Sequence, residues 1–570
     1  MIVSAAHQAH CRGANLAVFP EMSATGYPPL DLLDNPCFLD SVDRAVTSIA
    51  AAAPSQLGIL IGAPIRNADR IGKRLFNAAL LLEGGKIVDQ INKSLLPTYD
   101  VYDEFRYFEP ANRRRCMEWR GARLGVHICE DMWNSDDTEK FRMYPVDPLA
   151  DLARDGADLF INLSATPFAP GKHARRTAII DGICKQFQCP FVLVNQVGAN
   201  TELIFDGDSR VHLSSGRLAL CAPSFEESVL IWDTERNARP SNSTGRTVGT
   251  YAAAETDALD GVDGTDGAGA TYVRGAAEIA PRDDTADVHR ALILGIQDYM
   301  RKSGVFTKVV VGVSGGIDSA VACALAVDAL GPENVIGVTM PSRFTASSSL
   351  EDARRLARNL GIELRDIPIG PALHTLNEML ADAFAGTRHG VAEENIQARV
   401  RAVILMAMAN RFNYLLLSTS NKSEAAVGYT TIYGDMTGGI GVLSDVFKTQ
   451  VYELARYMNS RGGNQVIPQR VLEKPPSAEL RRGQLDKDSL PPYEELDAML
   501  KLYVEEKLDV SAIVERTGLD RGLVCDILRR VDAAEFKRRQ APPGLRVSAK
   551  SFGLGRRMPL AMNWDRTFNI

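Results

Sequence analysis

Residues Ser314 to Ser319 (Ser-Gly-Gly-Ile-Asp-Ser) have the types and spacing of a phosphate-binding loop. They follow the apolar run 308–313 and precede a helical pattern over 320–330. Glycines let the backbone approach an anion, and the first N–H groups of a helix point at it. Asp318 stands where the common ATP loop has a lysine, which excludes a Walker A loop and indicates a bound metal ion, Mg²⁺. The alternative is an ordinary glycine-rich turn.

Three segments in the N-terminal half carry a second set of reactive side chains. Glu21 ends a Phe-Pro-Glu segment, Lys93 lies in Asn-Lys-Ser-Leu-Leu-Pro-Thr-Tyr, and Cys129 ends Gly-Val-His-Ile-Cys. Taken one at a time, such residues are more often solvated or simply buried. Taken together they supply a base, a cation and a nucleophile, which is the set required for covalent amide hydrolysis.

In this order the segments resemble the nitrilase superfamily, which hydrolyses amides through a Cys–Glu–Lys triad. The resemblance implies that Cys129 is the nucleophile, at a strand-to-helix turn where the helix N-terminus favours the thiolate. It also implies that Glu21 is the general base and that Lys93 stabilises the oxyanion. Glu104 matches a second glutamate of that superfamily and is expected to support the triad.

Within that superfamily the segments look most like glutamine amidases, which implies that Tyr99, Thr166 and Lys172 hold the substrate glutamine. Thr166 stands where the family commonly has serine, and the hydroxyl is retained. Family members begin with a strand and most of a helix before the Phe-Pro-Glu segment. We therefore expect roughly 20–30 residues, including the first strand, to be missing here, either because the true start lies upstream or because the protein lacks a core strand. A missing strand would expose a sheet edge, so the amidase half is expected to be unstable.

Segments downstream of the phosphate loop resemble NAD synthetases, and with the amidase-like half the whole chain resembles glutamine-dependent NAD synthetases. The resemblance implies metal binding by Asp318 and Glu424, and deamido-dinucleotide binding by Asn395, Arg399, Glu424 and Lys537. Lys448 is expected to reach phosphate as a point charge. The residues expected to bind ATP are Gly312, Val313, Ser314, Gly315, Gly316, Ile317, Asp318, Ser319, Thr419 and Lys448.

The implied chemistry has two halves. Cys129 attacks the glutamine amide and releases ammonia through a thioester. The carboxylate of nicotinic acid adenine dinucleotide attacks ATP, expels pyrophosphate and forms an adenylate, from which ammonia displaces AMP to give NAD. The expected partners are therefore small molecules (glutamine, ATP and the dinucleotide), with a homodimer or larger homo-oligomer as the assembly.

Three other functions are consistent with part of the pattern. One is a different amidating ATP pyrophosphatase, such as an enzyme making GMP or asparagine, although the nitrilase-like half argues against it. The second is a non-catalytic dinucleotide-binding protein. The third is an NAD synthetase that uses only free ammonia because its amidase half is damaged.

The elements that must position these residues follow an α/β pattern. Short apolar runs alternate with helical patterns over 15–235, and the resemblance implies a nitrilase-like αββα sandwich. From residue 289 the alternation is typical of a doubly wound parallel sheet, followed by a helical C-terminal segment. We expect domains at 1–232 and 286–570, joined by a Gly/Asp-rich flexible linker or insertion at 233–285.

The bulk composition fits an ordinary globular enzyme. The chain has 570 residues, which favours two or three domains. A net charge of −7 argues against a nucleic-acid binder. The sequence has no apolar run of the ~18 residues that span a bilayer and no secretion-signal pattern at residue 1. Nine scattered cysteines indicate reduced thiols and a cytoplasmic protein.

Overall fold

The computed structural model describes residues 1–69, 71–135, 143–234, 282–461 and 465–561. The chain divides into two compact units. The first comprises Met1–Pro167, Gly171–Asn200 and Phe205–Pro281, and the second comprises Phe168–Pro170, Thr201–Ile204 and Arg282–Ile570. Most of the expected linker at 233–285 lies outside the described residues, so its flexibility stays a prediction.

The first unit contains two main sheets. A four-stranded sheet has the order β1-β2-β3-β4, with β1 parallel to β2 and the other neighbours antiparallel. A six-stranded sheet has the order β12-β11-β8-β7-β6-β5, with β6, β7 and β8 parallel. The strands of these two sheets are β1 Leu16–Val18, β2 Gly58–Arg66, β3 Leu75–Glu83, β4 Lys86–Asn92, β5 Met117–Trp119, β6 Ala122–Ile128, β7 Leu159–Ser164, β8 Phe191–Asn195, β11 Arg210–His212 and β12 Leu218–Cys221. Two further strands, β9 Val197–Asn200 and β10 Leu203–Asp206, pair with each other.

Three apolar layers make this unit an αββα sandwich. The central layer joins the two sheets and contains Leu60 and Leu81 from one and Val126 and Ile161 from the other. Outer layers pack helices onto the far face of each sheet. The helices are α1 Ile2–Cys11, α2 Pro36–Ala52, α3 Pro148–Arg154 and α4 Lys172–Phe187. The expected fold class of this half is confirmed.

The second unit is built on a parallel sheet of order β15-β14-β13-β16-β17. The chain crosses from β13 outward to β14 and β15, then returns to the other side of β13. Ligands bind at such a reversal, outside the carboxyl ends of the strands, and the phosphate-loop pattern follows β13 directly. The strands are β13 Lys308–Gly312, β14 Val335–Thr339, β15 Glu363–Asp366, β16 Tyr414–Ser418 and β17 Ile440–Gly441.

Helices cover both faces of this sheet and continue into a helical C-terminal region. That region has its own apolar core, which includes Leu496, Ile513, Val524 and Val531. The helices are α5 Asp284–Ser303, α6 Ile317–Leu330, α7 Ser347–Leu360, α8 Gly370–Leu380, α9 Val391–Phe412, α10 Lys422–Val427, α11 Lys448–Ser460, α12 Gln469–Glu473, α13 Tyr493–Leu500, α14 Val510–Thr517, α15 Arg521–Ala533 and α16 Glu535–Arg538. None of the helices in the described ranges is long and apolar enough to cross a membrane.

Candidate active sites

Cys129 lies at a sharp turn between β6 and a short 3₁₀ helix, Cys129–Ser135. Its φ of 42° is in the left-handed region, which is uncommon for a residue with a side chain. Asp131 fixes this turn because its carboxylate accepts the backbone N–H of Ile128 at 3.0 Å. The same carboxylate accepts the N–H groups of Ser94 and Leu95, at 3.1 and 2.8 Å. Asp131 therefore ties the turn that carries Cys129 to the segment that follows Lys93.

Lys93, Glu21 and Glu104 form a buried ion cluster. The Nζ of Lys93 lies 2.7 Å from Glu21 Oε1 and 2.7 Å from Glu104 Oε1. The side chains of Lys93 and Glu21 are fully shielded from solvent. Glu21 Oε2 also accepts the backbone N–H of Ala165 at 3.0 Å. The structure thus brings together three of the residues that the sequence predicted.

Burial and charge set the protonation states in this cluster. Burial raises the pKa of Glu104 to about 7, against the opposing effect of Lys93. Burial would lower the pKa of Lys93, but Glu104 and Glu21 outweigh it and raise that pKa well above its ordinary value. Lys93 therefore stays an ammonium ion throughout the physiological range, as an oxyanion partner must.

The expectation of a thiolate at Cys129 is wrong for the resting site. Burial, reinforced by Glu21, raises the pKa of the Cys129 thiol to about 12. Because the element that follows is a short 3₁₀ helix, its dipole is too weak to offset this burial. The Sγ of Cys129 lies 3.3 Å from the hydroxyl of Thr166. Cys129 is therefore a thiol at rest, and it would need a base to react as a nucleophile.

Tyr99, one of the residues predicted to hold glutamine, contacts a buried carboxylate that the sequence analysis did not select. Glu130 accepts the hydroxyl of Tyr99 at 2.9 Å and that of Tyr144 at 3.1 Å. Burial raises the pKa of Glu130. The Nζ of Lys172 donates to the carbonyl of Pro167 at 3.0 Å. The position of Glu130 next to Cys129 in the chain was a sequence signal for a site role.

In the second unit, the predicted phosphate loop connects β13 to α6. The hydroxyl of Ser319 accepts the backbone N–H of Ser314 at 3.2 Å and donates to the carbonyl of Gly316 at 3.0 Å. Gly315 has a φ of 82°, and a Cβ there would lie 2.8 Å from the carbonyl carbon of Ser349. Only glycine fits this position, because both the backbone conformation and the space exclude a side chain.

Lys448 lies between the two carboxylates that the sequence predicted as metal ligands. Its Nζ is 2.6 Å from Asp318 Oδ2 and 3.0 Å from Glu424 Oε1. Asn421 donates to Asp318 Oδ1 at 2.8 Å. Burial raises the pKa of Glu424 to about 7, whereas the two carboxylates outweigh burial and raise the pKa of Lys448. The contact of Lys448 with phosphate stays a prediction.

The residues predicted to bind the dinucleotide converge on the segment 428–432. Lys537 Nζ donates to the carbonyls of Gly428 and Thr430, at 2.7 and 2.8 Å. Asn395 accepts the hydroxyl of Thr431 at 2.9 Å, and Arg399 donates to the carbonyl of Ile432 at 3.2 Å. Thr419 follows β16 at the carboxyl end of the sheet. Asn395, Arg399 and Lys537 therefore hold the segment that follows α10, whereas Glu424, the fourth residue predicted to bind the dinucleotide, contacts Lys448.

Sequence reasoning missed several residues that organise the sites. They are polar residues whose importance depends on partners far away in the chain. Their signals were weak: an asparagine inside an apolar strand, or an acid close after a nucleophile. These residues are Tyr27, Asn77, Glu130, Asp131 and Asn421.

Comparison with known proteins matches both halves of the chain. The carbon-nitrogen hydrolase family model matches residues 1–239, and the NAD synthase model matches residues 288–541. The chain is 44% identical to the glutamine-dependent NAD(+) synthetase of Synechocystis sp. over 563 residues, 98% of this chain and 95% of that protein. It is 40% identical to the protein of the same name from Thermotoga maritima, with 98% and 94% covered.

Solved structures give the same result. The glutamine-dependent NAD+ synthetase of Acinetobacter baumannii, in complex with adenosine diphosphate, superposes with a TM-score of 0.71 at 34% identity, covering 98% of this chain and 94% of that one. The glutamine-dependent NAD(+) synthetase of Cytophaga hutchinsonii superposes with a TM-score of 0.74 at 21% identity, again covering 98% of this chain and 94% of that one. At this identity the likeness supports the fold alone.

Proposed function

The chain belongs to the family of glutamine-dependent NAD(+) synthetases, and on this premise we propose how its own residues carry out the two half-reactions. The protein amidates nicotinic acid adenine dinucleotide to NAD with ATP and with ammonia from glutamine. The observation that carries the proposal is the presence of two separate buried lysine–carboxylate clusters, one beside Cys129 and one at the phosphate loop. The relatives do not favour the three other functions considered from the sequence.

In the first unit, Cys129 attacks the side-chain amide carbon of glutamine. Because its thiol is protonated at rest, Glu21 takes the proton as the C–S bond forms. The Lys93 ammonium stabilises the negative oxygen of the tetrahedral intermediate, and the proton held by Glu21 leaves with ammonia. Glu21 then takes a proton from water, which hydrolyses the γ-glutamyl thioester. Glu104 supports these steps by sharing Lys93.

Substrate glutamine is held at the mouth of this cluster. Tyr99, Thr166 and Lys172 are the residues we propose for this role, as the resemblance implies. The hydroxyl of Thr166 next to Cys129 supports the assignment because it lies where the reacting amide must arrive. Glu130, which fixes the hydroxyl of Tyr99, would keep that side chain in one orientation.

In the second unit, the residues 312–319 and Thr419 bind ATP, with backbone N–H groups of the loop and the start of α6 facing the phosphates. Asn395, Arg399, Glu424 and Lys537 shape the dinucleotide site. The dinucleotide carboxylate attacks the α-phosphorus and expels pyrophosphate, and ammonia then displaces AMP from the adenylate. Lys448 stabilises phosphate charge when it moves from the carboxylates to the nucleotide.

Asp318 and Glu424 fit a magnesium site. Their carboxylates converge on one ammonium group in this structure, so a cation is already required between them. Oxygen donors of this kind are those that Mg²⁺ prefers. When bound, the ion would neutralise charge on the phosphates and the leaving pyrophosphate.

We further propose that the protein is cytoplasmic and forms a homodimer or larger homo-oligomer. Large apolar side chains stand exposed on α8 and α9, including Met379, Val391 and Val403, whose exposed fractions are 73%, 68% and 69%. Surfaces of this kind are commonly covered by another chain. Light scattering of the purified protein checks the mass, and a monomer would contradict the assembly.

Two variants test the division of labour. Cys129→Ala should abolish NAD formation from glutamine and retain it with ammonium chloride. Asp318→Asn should reduce NAD formation from both nitrogen sources by at least about 100-fold, since it removes a charged ligand of the proposed magnesium ion. NAD formed by Cys129→Ala from glutamine, or full activity of Asp318→Asn, would contradict the assignment.

A further inference from the structure

Asn77 is a buried polar residue in the middle of an apolar strand. It lies on β3 between Phe76 and Ala78, and its exposed fraction is 1%. Its backbone carbonyl accepts the N–H of Lys93 at 2.8 Å, so the two residues face each other across β3 and the chain leaving β4. This register fixes the Asn77 side chain beside the ion cluster.

The carboxamide of Asn77 bridges two carboxylates. Its Nδ2 donates to Glu21 Oε1 at 2.7 Å and to Glu104 Oε2 at 3.3 Å. Its Oδ1 is buried and has no hydrogen-bond partner within the described chain. An asparagine retained for structure alone would be expected to satisfy its acceptor as well as its donors. Asn77 instead directs both N–H groups at the carboxylates.

Charge explains why two donors are required here. One ammonium ion, Lys93, serves two carboxylates, so the cluster carries an excess negative charge when both are ionised. Each carboxylate accepts hydrogen bonds from three donors. Glu21 accepts them from Lys93, Asn77 and the backbone N–H of Ala165. Glu104 accepts them from Lys93, Asn77 and the hydroxyl of Tyr27. Asn77 is the neutral donor that the two carboxylates share.

We propose that Asn77 is a positioning residue of the glutaminase reaction, whose carboxamide holds Glu21 and Glu104 apart in fixed orientations and keeps Glu21 available as the base. This inference rests on the proposed roles of Glu21 and Cys129. Asn77 binds one oxygen of each carboxylate, so that Lys93 can contact both carboxylates at once. Glu21 is thereby held in one orientation, in which it can accept the proton from Cys129. Asn77 itself touches no substrate atom in this role.

The inference predicts a change in pH dependence. Removing the shared donor makes ionisation of Glu104 less favourable, because a hydrogen bond to its charged form is lost. Burial already raises the pKa of Glu104 to about 7. The acid limb of kcat/KM for glutamine should therefore move to higher pH. Asn77 contacts Glu21 and Glu104, and the other titratable groups that interact with these two carboxylates are Tyr27, Lys93 and Cys129.

The test compares Asn77→Ala, Asn77→Ser and Asn67→Ala with the wild type. Asn67 is the matched control, since its Nδ2 also donates to two acceptors in the same unit, but these are the backbone carbonyls of Ile71 and Lys73 and not carboxylates. Glutamate release is measured from pH 5 to 9. NAD formation from ammonium chloride, together with circular dichroism of each variant, shows whether the protein has folded.

Asn77→Ala should lower kcat for glutamine about 10- to 100-fold and move the acid limb up by about one pH unit, while ammonium-dependent synthesis is kept. Asn77→Ser, which retains one short donor, should recover part of both effects, and Asn67→Ala should behave as wild type. A lower kcat with an unchanged acid limb in both Asn77 variants would show a merely structural role and overturn the inference. Absence of glutaminase activity in the wild type would instead overturn the proposed function.

Discussion

Lys93, Lys422 and Lys448 are buried lysines that each hold a pair of carboxylates. Lys422 also donates to Ser548 and to the carbonyl of Lys550, so it fastens the C-terminal segment to α10. Breaking a buried pair of this type costs about 3–5 kcal/mol because the remaining charge stays buried. The same residue pattern therefore occurs at the two proposed catalytic sites and, at Lys422, in a structural role.

Glu104 makes the stability of the protein depend on pH. Its pKa rises from the ordinary 4.5 to about 7 in the folded state. The protonated Glu104 therefore makes its full contribution to the free energy of unfolding below pH 4.5, and this contribution is lost as the pH rises through 7. Glutamine at this position stays neutral at every pH. The free energy of unfolding of Glu104→Gln, measured relative to the wild type, should therefore rise by about 3 kcal/mol between pH 4.5 and pH 8.

Urea unfolding at several pH values measures this difference. The exposed Glu118 on β5 provides the matched control, because Glu118→Gln should follow the wild type at every pH. Parallel stability curves for Glu104→Gln and the wild type would show that Glu104 does not titrate in this range.

Lys448 should be essential for the synthetase half. Lys448→Met leaves Asp318 and Glu424 without their shared cation and removes a charge that stabilises phosphate, so ammonium-dependent NAD formation should fall about 100- to 1000-fold. Lys308→Met is the control, since the side chain of that half-buried lysine donates to the backbone carbonyl of Glu333 and to no carboxylate among the described contacts. Glutamate release by Lys448→Met should persist, and undiminished NAD formation would refute the role.

At the scale of elements, strand ends explain how residues distant in the chain meet. Glu21 follows β1, Lys93 follows β4, Cys129 follows β6 and Thr166 follows β7. The two sheets of the sandwich bring these ends together around one buried point. In the second unit, β14 and β16 lie on opposite sides of β13, so the phosphate loop after β13 and the segment after β16 both lie at the carboxyl end of the sheet.

A glycine on β2 makes room for the catalytic base. A Cβ at Gly62 would lie 2.7 Å from the carbonyl carbon of Glu21, so the turn that carries Glu21 rests directly on this strand. Gly62→Ala should displace Glu21 and lower glutamine-dependent activity at least about tenfold, because small misplacements of reacting groups are costly.

Gly182→Ala is the matched control for this variant. A Cβ at Gly182 meets no atom within 4 Å, and alanine in the middle of α4 should stabilise the helix by about 1 kcal/mol. Both variants should keep ammonium-dependent NAD synthesis. If Gly62→Ala used glutamine as fast as the wild type, the turn would have shifted without moving the carboxylate of Glu21.

At the scale of the whole molecule, one chain makes ammonia and consumes it. Ammonia released into water is protonated and diluted, so we expect the amide nitrogen to reach NAD without mixing with the solvent pool. Glutamine labelled with ¹⁵N in the amide, given with an equal concentration of unlabelled ammonium chloride, should yield NAD that is mostly labelled by mass spectrometry. Cys129→Ala should yield unlabelled NAD alone, and labelling that follows the bulk ammonia pool would disprove direct transfer.

Local patterns and the family resemblance together predicted the chemistry and both fold types. The phosphate loop between β13 and α6 is defined by a few neighbouring residues, whereas Glu21, Lys93 and Cys129 were selected only because their three segments together resemble the nitrilase superfamily. Strand periodicity located β8 and β16 at the positions observed. It missed β4, β5, β9–β12 and β17, which are short or, for β4, largely polar.

The protonation states and the supporting residues required the folded structure. Asn77 and Glu21 are 56 residues apart, and Tyr27 and Glu104 are 77 apart, so no local pattern could pair them. The resting thiol of Cys129 and the raised pKa of Glu104 both arise from burial among charges contributed by distant segments. Desolvation depends on everything that surrounds a group, and only the packed sandwich defines that environment.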